Sequence, residues 1–253
     1  MLARWLYYCF FAVSALGLIG ILLAGFAALV IYSSLPSLDA LTDYRPKIPL
    51  RVYSNEGLLI GEFGAERRNV VKISEVPLHL KQAILAAEDD RFYEHGGVDF
   101  MGVLRAAYSN FSAGSVRQGA STITMQVARN FFLTREKTIT RKLSEALLAY
   151  KIESNLSKDN ILELYINQIY LGQRSYGFAA AAQTYFGKSL QEINIAEAAM
   201  LAGLPKAPST YNPISNPKRA KSRQVYVLGR LHKLNQITDE EFSTLENQPV
   251  PVK

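Results

Sequence analysis

A long apolar run opens the chain and predicts a membrane-spanning helix. No charged residue occurs from Trp5 through Leu38, and the stretch from Leu6 to Ile31 is almost entirely apolar. More than twenty helical residues, at a rise of about 1.5 Å each, span the hydrocarbon core of a bilayer, which is about 30 Å thick. Residues 1–34 therefore indicate a short cytoplasmic tail and an uncleaved signal anchor. The alternatives are a cleavable signal peptide, whose apolar region is normally shorter, and a buried core helix.

The pattern changes after this run to a polar segment that contains prolines. Prolines scattered among polar residues as far as Pro49 suit a linker. From Leu50 to Phe63 apolar and polar residues alternate loosely around Asn55-Glu56-Gly57, which predicts a hairpin of two short strands. Residues 35–74 are therefore predicted to be a linker and a β-hairpin region.

Apolar residues at helical spacing recur through almost all of the chain after residue 74. A first helix begins at Pro77, and the spacing predicts further helices over Asp99–Tyr108, Ser121–Phe132, Lys137–Asn155, Lys158–Leu171, Tyr176–Phe186, Ala196–Leu204 and Lys218–Leu234. Capping pairs have the right spacing at Ser189 and Glu192, at Asn194 and Glu197, and at Thr238 and Glu241. Ser109–Gly119 is rich in Ser, Gly and polar residues and predicts a loop. The predicted fold class is mainly α.

The length and net charge of the chain limit the classes of binding partner but do not identify one. A chain of 253 residues has room for one sizeable domain or two small ones. Its formal charge of +6 favours an anionic partner, which could be nucleic acid, an anionic membrane surface or a phosphorylated substrate. The single cysteine, Cys9, lies in the apolar N-terminal run, so the chain has neither a disulfide framework nor a cysteine zinc site.

An acidic cluster, Glu88–Gly97, follows the apolar helix that begins at Pro77. Four of its first seven residues are acidic, directly behind a helix that should be half-buried. A carboxylate at a half-buried helix end costs folding free energy unless it is paired, exposed to solvent or used in catalysis. The alternative, taken on these residues alone, is a solvated helix end that runs into a loop.

Two further stretches combine cations with hydrogen-bonding groups. Gln118–Asn130 places glycine and hydroxyl residues at a helix start, which is a natural anion site, or ordinary capping on an exposed face. Thr122, Gln126 and Arg129 then follow at helical spacing. In the next helix Arg141 and Lys142 share a flank with Glu145, where a surface ion pair is the plain alternative. Lys158–Gly172 and Ala198–Asn212 are apolar helical stretches with a few tyrosines and amides, and packing explains the first of them by itself.

Taken together, these five stretches resemble one family closely. It is the peptidoglycan glycosyltransferase domain (family 51) of class A penicillin-binding proteins, and its five motifs occur in order over roughly residues 50–235. Within the family the chain most resembles the penicillin-binding protein 1A type. The resemblance implies a lysozyme-like helical domain over residues 75–235. It also implies that residues 236–253 begin a linker to a transpeptidase domain that this chain does not contain.

The resemblance further implies a reaction and the residues that carry it. Lipid II is polymerised on a glycan chain held by undecaprenyl pyrophosphate, with inversion at the donor anomeric carbon. Glu88 resembles the general base, and Glu145 the second essential carboxylate. Glu145 is expected to act at the donor pyrophosphate, through a divalent metal ion (Mg or Mn) or as an acid. A base works best with its pKa moved towards neutrality, which burial of Glu88 beside Asp89 can supply.

The other implied site residues bind substrate or shape the cleft. Fixed cations lower the barrier to release of a pyrophosphate, because its negative charge grows as the glycosidic bond breaks. The implied substrate-binding set is Asp89, Phe92, His95, Ser121, Thr122, Gln126, Arg129, Arg141 and Lys142. The family usually has a lysine at the position of Arg129. Arginine keeps the positive charge but presents a planar guanidinium group instead of an ammonium group.

The implied location is the cytoplasmic (inner) membrane, crossed once, with the catalytic domain on the outer face. The partners implied are lipid II, the undecaprenyl-pyrophosphate-linked glycan, the bilayer and other proteins of cell-wall synthesis, with no nucleic acid. A hydrophobic patch that dips into the bilayer is expected from Phe100, Met101, Val103, Leu104, Tyr108 and Phe111. The rival hypotheses are a lysozyme-like enzyme that cleaves glycan and a non-catalytic membrane-anchored scaffold. The cations near Glu145 argue against cleavage, which has no pyrophosphate leaving group.

Overall fold

A single long helix, α1 (Leu2–Ser33), opens the fold. The computed structural model describes residues 2–42, 49–114, 119, 121–133 and 138–253. The segment Phe10–Ser33 of α1 has a mean hydropathy of 2.5 and none of it is buried, so its length and composition suit a membrane span. A short helix, α2 (Asp39–Thr42), follows. Most of the rest of the predicted linker lies outside the described residues.

The predicted β-hairpin is confirmed. Strands β1 (Leu50–Tyr53) and β2 (Leu59–Phe63) pair antiparallel, with Leu50 opposite Phe63. The turn between them includes Gly57, whose φ of 82° suits a residue without a Cβ. The hairpin region thus links the apolar helix to the helical body of the molecule.

The mainly α prediction is confirmed after residue 74. The longer helices in the described part of the chain are α3 (Leu78–Glu88), α4 (Phe100–Ala113), α5 (Ile123–Phe132), α6 (Ile139–Glu153), α7 (Lys158–Gln168), α8 (Phe178–Phe186), α9 (Ile195–Gly203), α10 (Pro217–Lys233) and α11 (Asp239–Asn247). The capping boxes predicted at Asn194 and Thr238 are both formed. At Ser189 the carboxylate of Glu192 accepts hydrogen bonds from the backbone and hydroxyl, but they close a turn and no helix follows directly.

The core lies between two groups of helices. Helix α3 packs against α9 and α10, and α5 packs against α6 and α7. The largest side chains with almost no exposed surface include Tyr165, Tyr185, Phe92, Phe178, Leu80 and Ile84. Helix α3 ends at Glu88 and α5 begins just after Thr122, and a hydrogen bond from Gln126 to Glu88 joins these two predicted functional stretches.

Helix α4 exposes an apolar face. The exposed fractions are 74% for Phe100, 65% for Leu104 and 89% for Phe111, with Met101, Val103 and Tyr108 also exposed. The predicted loop over Ser109–Gly119 is wrong at its start, because α4 continues to Ala113 and ends at Gly114 in a left-handed conformation. Residues 115–118 of that predicted loop lie outside the described residues.

Two features were not predicted from local pattern. Strand β3 (Arg67–Arg68) pairs parallel with β4 (Ser175–Tyr176), so the predicted helical start at Tyr176 is wrong. Helix α7 also ends at Gln168, before the predicted Leu171. Each of these strands has only two residues, which is too short to show the alternation of apolar and polar residues that predicts a strand. Their pairing also joins segments that are far apart in sequence.

Candidate active site

Glu88 is the last residue of α3 and lies partly buried in a cleft. Its Oε2 accepts a hydrogen bond from Nε2 of Gln126 on α5 at 2.8 Å. Burial raises the pKa of Glu88 above its ordinary value, and this effect exceeds the opposing effects of Gln126 and of nearby cations. A carboxyl group with a raised pKa in a cleft suits a general base.

Asp89 fixes the start of α5. Its Oδ2 accepts the backbone N–H of Ile123 at 3.0 Å, and its Oδ1 lies 3.0 Å from Nε2 of His95. The Oγ1 of Thr122 donates to the carbonyl of Gly97 at 2.6 Å and accepts the N–H of Met125, which caps α5. These bonds tie the acidic loop after Glu88 to the helix that carries Gln126.

Gly97 makes this close approach sterically feasible. It has a φ of 93°, and a Cβ there would come within 2.8 Å of the Ala149 carbonyl oxygen. Phe92 is fully buried under the same loop, with the ammonium of Lys158 4.4 Å from its ring centroid. Lys158 also donates to the carbonyl of His95 at 2.6 Å. Phe92 and His95 therefore support the loop after Glu88 from its buried side and do not face the cleft.

Three cations gather at the α5–α6 contact; Arg129, Arg141 and Lys142 are called the α5–α6 cations below. Glu145 is 1% exposed and accepts hydrogen bonds from Arg141 and, at 3.0 Å, from Lys142. Lys142 also donates to the Ser121 hydroxyl at 2.7 Å. Burial and the positive charges of Arg129 and Arg141 lower the pKa of Lys142, which is expected where like charges lie close together. Within the described part of the chain, the guanidinium group of Arg129 forms no hydrogen bond or ion pair, although the residue's backbone carbonyl accepts the N–H of Leu133.

The cleft has a volume of about 270 Å³ and two polar walls. The first is formed by predicted site residues, namely Glu88, Asp89, Ser121, Thr122, Gln126 and Arg129. Phe92, His95, Arg141, Lys142 and Glu145 lie outside the lining, and all but Phe92 make polar contacts to its residues or to each other.

The second wall was not predicted from the sequence. It consists of Lys206 and of Arg223, Tyr226 and Arg230 on α10. Lys206, Arg223 and Arg230 are called the α10-side cations below. Arg223 and Lys206 are close enough to Glu88 to oppose the rise in its pKa. The α10 residues recur every three or four positions, a spacing that puts them on one face of a helix. That spacing is the signal by which they could have been found.

The geometry agrees with the comparison to known families. The family model described as transglycosylase matches residues 56–232, which include both walls of the cleft. The chain belongs to the transglycosylase family.

Two sequence relatives of this transglycosylase chain are consistent with that assignment. It is 57% identical to penicillin-binding protein 1A of Neisseria flavescens over 95% of this chain and 29% of the relative. It is 48% identical to penicillin-binding protein 1A of Pseudomonas aeruginosa over 88% of this chain and 27% of the relative. The crystal structure of penicillin-binding protein 1A from Haemophilus influenzae aligns with a TM-score of 0.49 and 32% identity, over 83% of this chain and 22% of that one. The chain thus spans less than a third of the length of these relatives.

The residues around Glu145 do not fit a metal site built by the protein alone. Its carboxylate is already bonded to Arg141 and Lys142, and two cations beside it disfavour a third. Among the described residues, no group of three or more His, Cys, Asp or Glu side chains is arranged to hold a metal ion. A divalent ion at Glu145 would need oxygen ligands from a substrate. The metal stays a prediction, and no step proposed below depends on it.

Replacing Gln126 by Leu in this transglycosylase domain is expected to shift the acid limb of the pH profile of kcat/KM to higher pH. Gln126 lowers the pKa of Glu88, so its loss raises that pKa further, and a base works only when it is deprotonated. Arg129, Arg223 and Lys206 remain to oppose the rise. We also expect a loss of activity of about tenfold or more, because the carboxylate loses its fixed orientation.

The matched control is Gln183→Leu, an exposed glutamine on α8 outside the cleft, whose profile should match that of the wild type. An acid limb of Gln126→Leu that stays in place or moves to lower pH would contradict the assignment of Glu88.

Replacing Asp89 by Ala is expected to reduce stability. The change leaves the buried N–H of Ile123 and Nε2 of His95 without their partner, at a cost of about 3 kcal/mol. For a chain of this size the melting temperature should fall by about 6–12 °C.

The control for this change is Asp159→Ala, which removes an exposed carboxylate bonded to Tyr93 and should cost under about 1 kcal/mol. If Asp89 acts mainly on substrate, Asp89→Ala will instead lower activity and leave the melting temperature unchanged. Thermal unfolding and kinetics in the same detergent separate the two roles.

Proposed function

We propose that this chain is a peptidoglycan glycosyltransferase that polymerises lipid II, with Glu88 as the general base. The observation that carries the proposal is a partly buried carboxylate with a raised pKa, placed between cations from two walls of one cleft. This arrangement suits a reaction in which both substrates carry pyrophosphate, because each wall can neutralise one of them. Membership of the transglycosylase family supports the same reaction.

The α5–α6 cations bind the donor in this proposal. When the donor C1–O bond breaks, its electron pair passes to the pyrophosphate, and the negative charge there increases. Within the described part of the chain the guanidinium group of Arg129 is engaged in no hydrogen bond or ion pair, so it is available to that leaving group. Arg141 and Lys142 are held in place by Glu145, whose role here is to orient them.

The acceptor lipid II lies along the wall formed by the α10-side cations. Its GlcNAc 4-hydroxyl oxygen forms the new bond to the donor anomeric carbon from the face opposite the leaving group, so the configuration inverts. The hydroxyl proton passes to the Glu88 carboxylate. Lys206 and Arg223 lie near Glu88 and can hold the acceptor pyrophosphate while its sugar reaches the base.

The membrane position completes the proposal. Helix α1 anchors the chain in the cytoplasmic membrane, with the N-terminal tail inside because Arg4 precedes the span. The exposed apolar face of α4 is then the part of the globular body that dips into the outer leaflet. This arrangement brings the cleft to the level at which the polyprenyl chains of both substrates leave the bilayer.

The test is incubation of the detergent-solubilised protein with fluorescently labelled lipid II, followed by gel separation of the products. The proposal predicts glycan polymer and release of undecaprenyl pyrophosphate. A second arm offers preformed glycan without lipid II. Shortening of that glycan would identify a hydrolase, and binding of lipid II with neither product would identify a non-catalytic scaffold. A third arm with added chelator reports whether the predicted divalent metal is needed.

A further inference from the structure

Tyr226 presents an aromatic ring to the cleft, and no step proposed above uses it. It lies in the α10 wall, and half of its surface (50%) is exposed. An exposed aromatic ring loses water easily, and its flat face is a good binding surface for a ligand with an apolar face.

Arg223 covers one face of this ring and holds it in place. The guanidinium carbon of Arg223 lies 4.3 Å from the centroid of the Tyr226 ring and 5.9 Å from that of Tyr211. Arg223 itself is buried, and its Nε donates to the carbonyl of Gly203 at 3.4 Å. A Cβ at position 203 would come within 2.8 Å of the Arg223 side chain, so the packing there is tight. The Tyr226 ring therefore has a preorganised orientation, which lowers the entropy cost of binding.

The position of the ring relative to Glu88 is fixed by the next turn of α10. Arg230, four residues after Tyr226, donates to Asp90 at 2.8 Å and to the carbonyl of Ala86 at 3.1 Å. These contacts fasten α10 to the end of the helix that carries Glu88. Tyr226 thus lies four residues, about 6 Å along the helix axis, from Arg230, which is anchored beside Glu88.

We propose that Tyr226 is a stacking platform for the acceptor sugar. The inference rests on the proposed function and deepens it. One ring face already carries a cation, so the open face suits a neutral ligand with an apolar side. The C–H face of a pyranose ring fits that description, whereas a charged group does not. A sugar stacked there has its hydroxyl groups directed along the wall towards Glu88, while its pyrophosphate meets Lys206 or Arg223.

The experiment measures initial rates with undecaprenyl-pyrophosphate-linked glycan as a saturating donor and lipid II as the varied acceptor. Tyr226→Ala is expected to raise the KM for lipid II about tenfold, with kcat within about twofold, as loss of one stacked ring predicts. Tyr226→Phe keeps the ring and should restore the KM. Tyr150→Ala, which removes an exposed tyrosine of α6 outside the cleft, is the matched control.

A second measurement tests the role of Tyr226 by binding alone, without catalytic turnover. Binding of fluorescent lipid II is compared between Glu88→Gln alone and Glu88→Gln combined with Tyr226→Ala, and the dissociation constant should rise about tenfold. An unchanged KM and dissociation constant would overturn the stacking proposal. A fall in kcat with a shifted pH profile and an unchanged KM would also overturn it, because the ring would then act through Arg223 on Glu88. Absence of polymer with wild-type protein would contradict the proposed function, while the binding comparison still decides the role of Tyr226.

Discussion

Glu88→Gln should abolish glycan synthesis, with kcat falling by about 10³-fold, within the range that loss of a general base produces. Glutamine matches the shape of glutamate and can keep the contact to Gln126 through its amide oxygen, but it cannot take a proton. The rate of polymer formation from labelled lipid II measures the effect. Residual activity above a few per cent would show that another group accepts the proton.

The same substitution should leave the fold as stable as before, or more stable. Burial raises the pKa of Glu88, which means that the folded protein disfavours its charged form. Above the ordinary pKa of glutamate, folding must therefore either bury this charge or take up a proton, and this cost is lost only as the pH falls below the ordinary value. Glutamine removes the charge, so the melting temperature at pH 7 should not decrease. A lower melting temperature would mean that Glu88 serves the structure.

Glu145→Gln should reduce both activity and stability. The carboxylate is almost fully buried between Arg141 and Lys142, and removal of one partner from a buried ion pair costs about 3–5 kcal/mol. Without it the two cations repel each other and lose the orientation in which we propose that they bind the donor pyrophosphate. We expect kcat to fall by about 10²-fold or more, the size of effect that loss of a preorganised charge produces.

The matched control is Glu153→Gln on the same helix. Glu153 is also largely buried and pairs with a lysine, Lys158, at 2.8 Å, but its hydrogen-bond partners are Lys158 and the Thr124 hydroxyl and not the α5–α6 cations. Its replacement should lower the melting temperature by a similar amount while leaving most of the activity. Equal losses of activity in the two variants would mean that Glu145 acts only through stability. Melting curves and initial rates at a temperature where both proteins are folded separate these outcomes.

Local chemistry predicted the helices well wherever a cap or a turn carries its own signal. Thr122, Asn194 and Thr238 begin helices because their side chains accept backbone N–H groups three residues later, and that interaction is encoded within four positions. The hairpin turn at Gly57 was predicted for the same reason. Ser189 has the same spacing to Glu192 but closes only a turn, because no helical stretch follows it directly.

The first wall of the cleft was predicted, and the second was missed. Glu88, Gln126 and Glu145 lie in stretches whose polar residues interrupt apolar helices, and a family resemblance drew attention to them. Arg223 and Tyr226 lie on a helix with many basic residues, where a solvated face is the ordinary reading. Arg223 differs from the other basic residues of this helix because it is buried against Gly203 and lies near the rings of Tyr211 and Tyr226. These contacts depend on tertiary packing, which the local sequence does not reveal.

The order of charges along the cleft has a consequence for inhibitor chemistry. Glu88 lies near basic side chains of both walls, Arg129 in the first and Lys206 and Arg223 in the second. A competitive small molecule with one anionic group can pair with the basic side chains of only one wall, and those of the other wall remain hydrated. A compound with two anionic ends and an uncharged, hydroxyl-bearing middle would match the whole cleft. Such a compound crosses bilayers poorly, so it could reach the cleft only if the cleft has the position proposed above, on the outer side of the membrane.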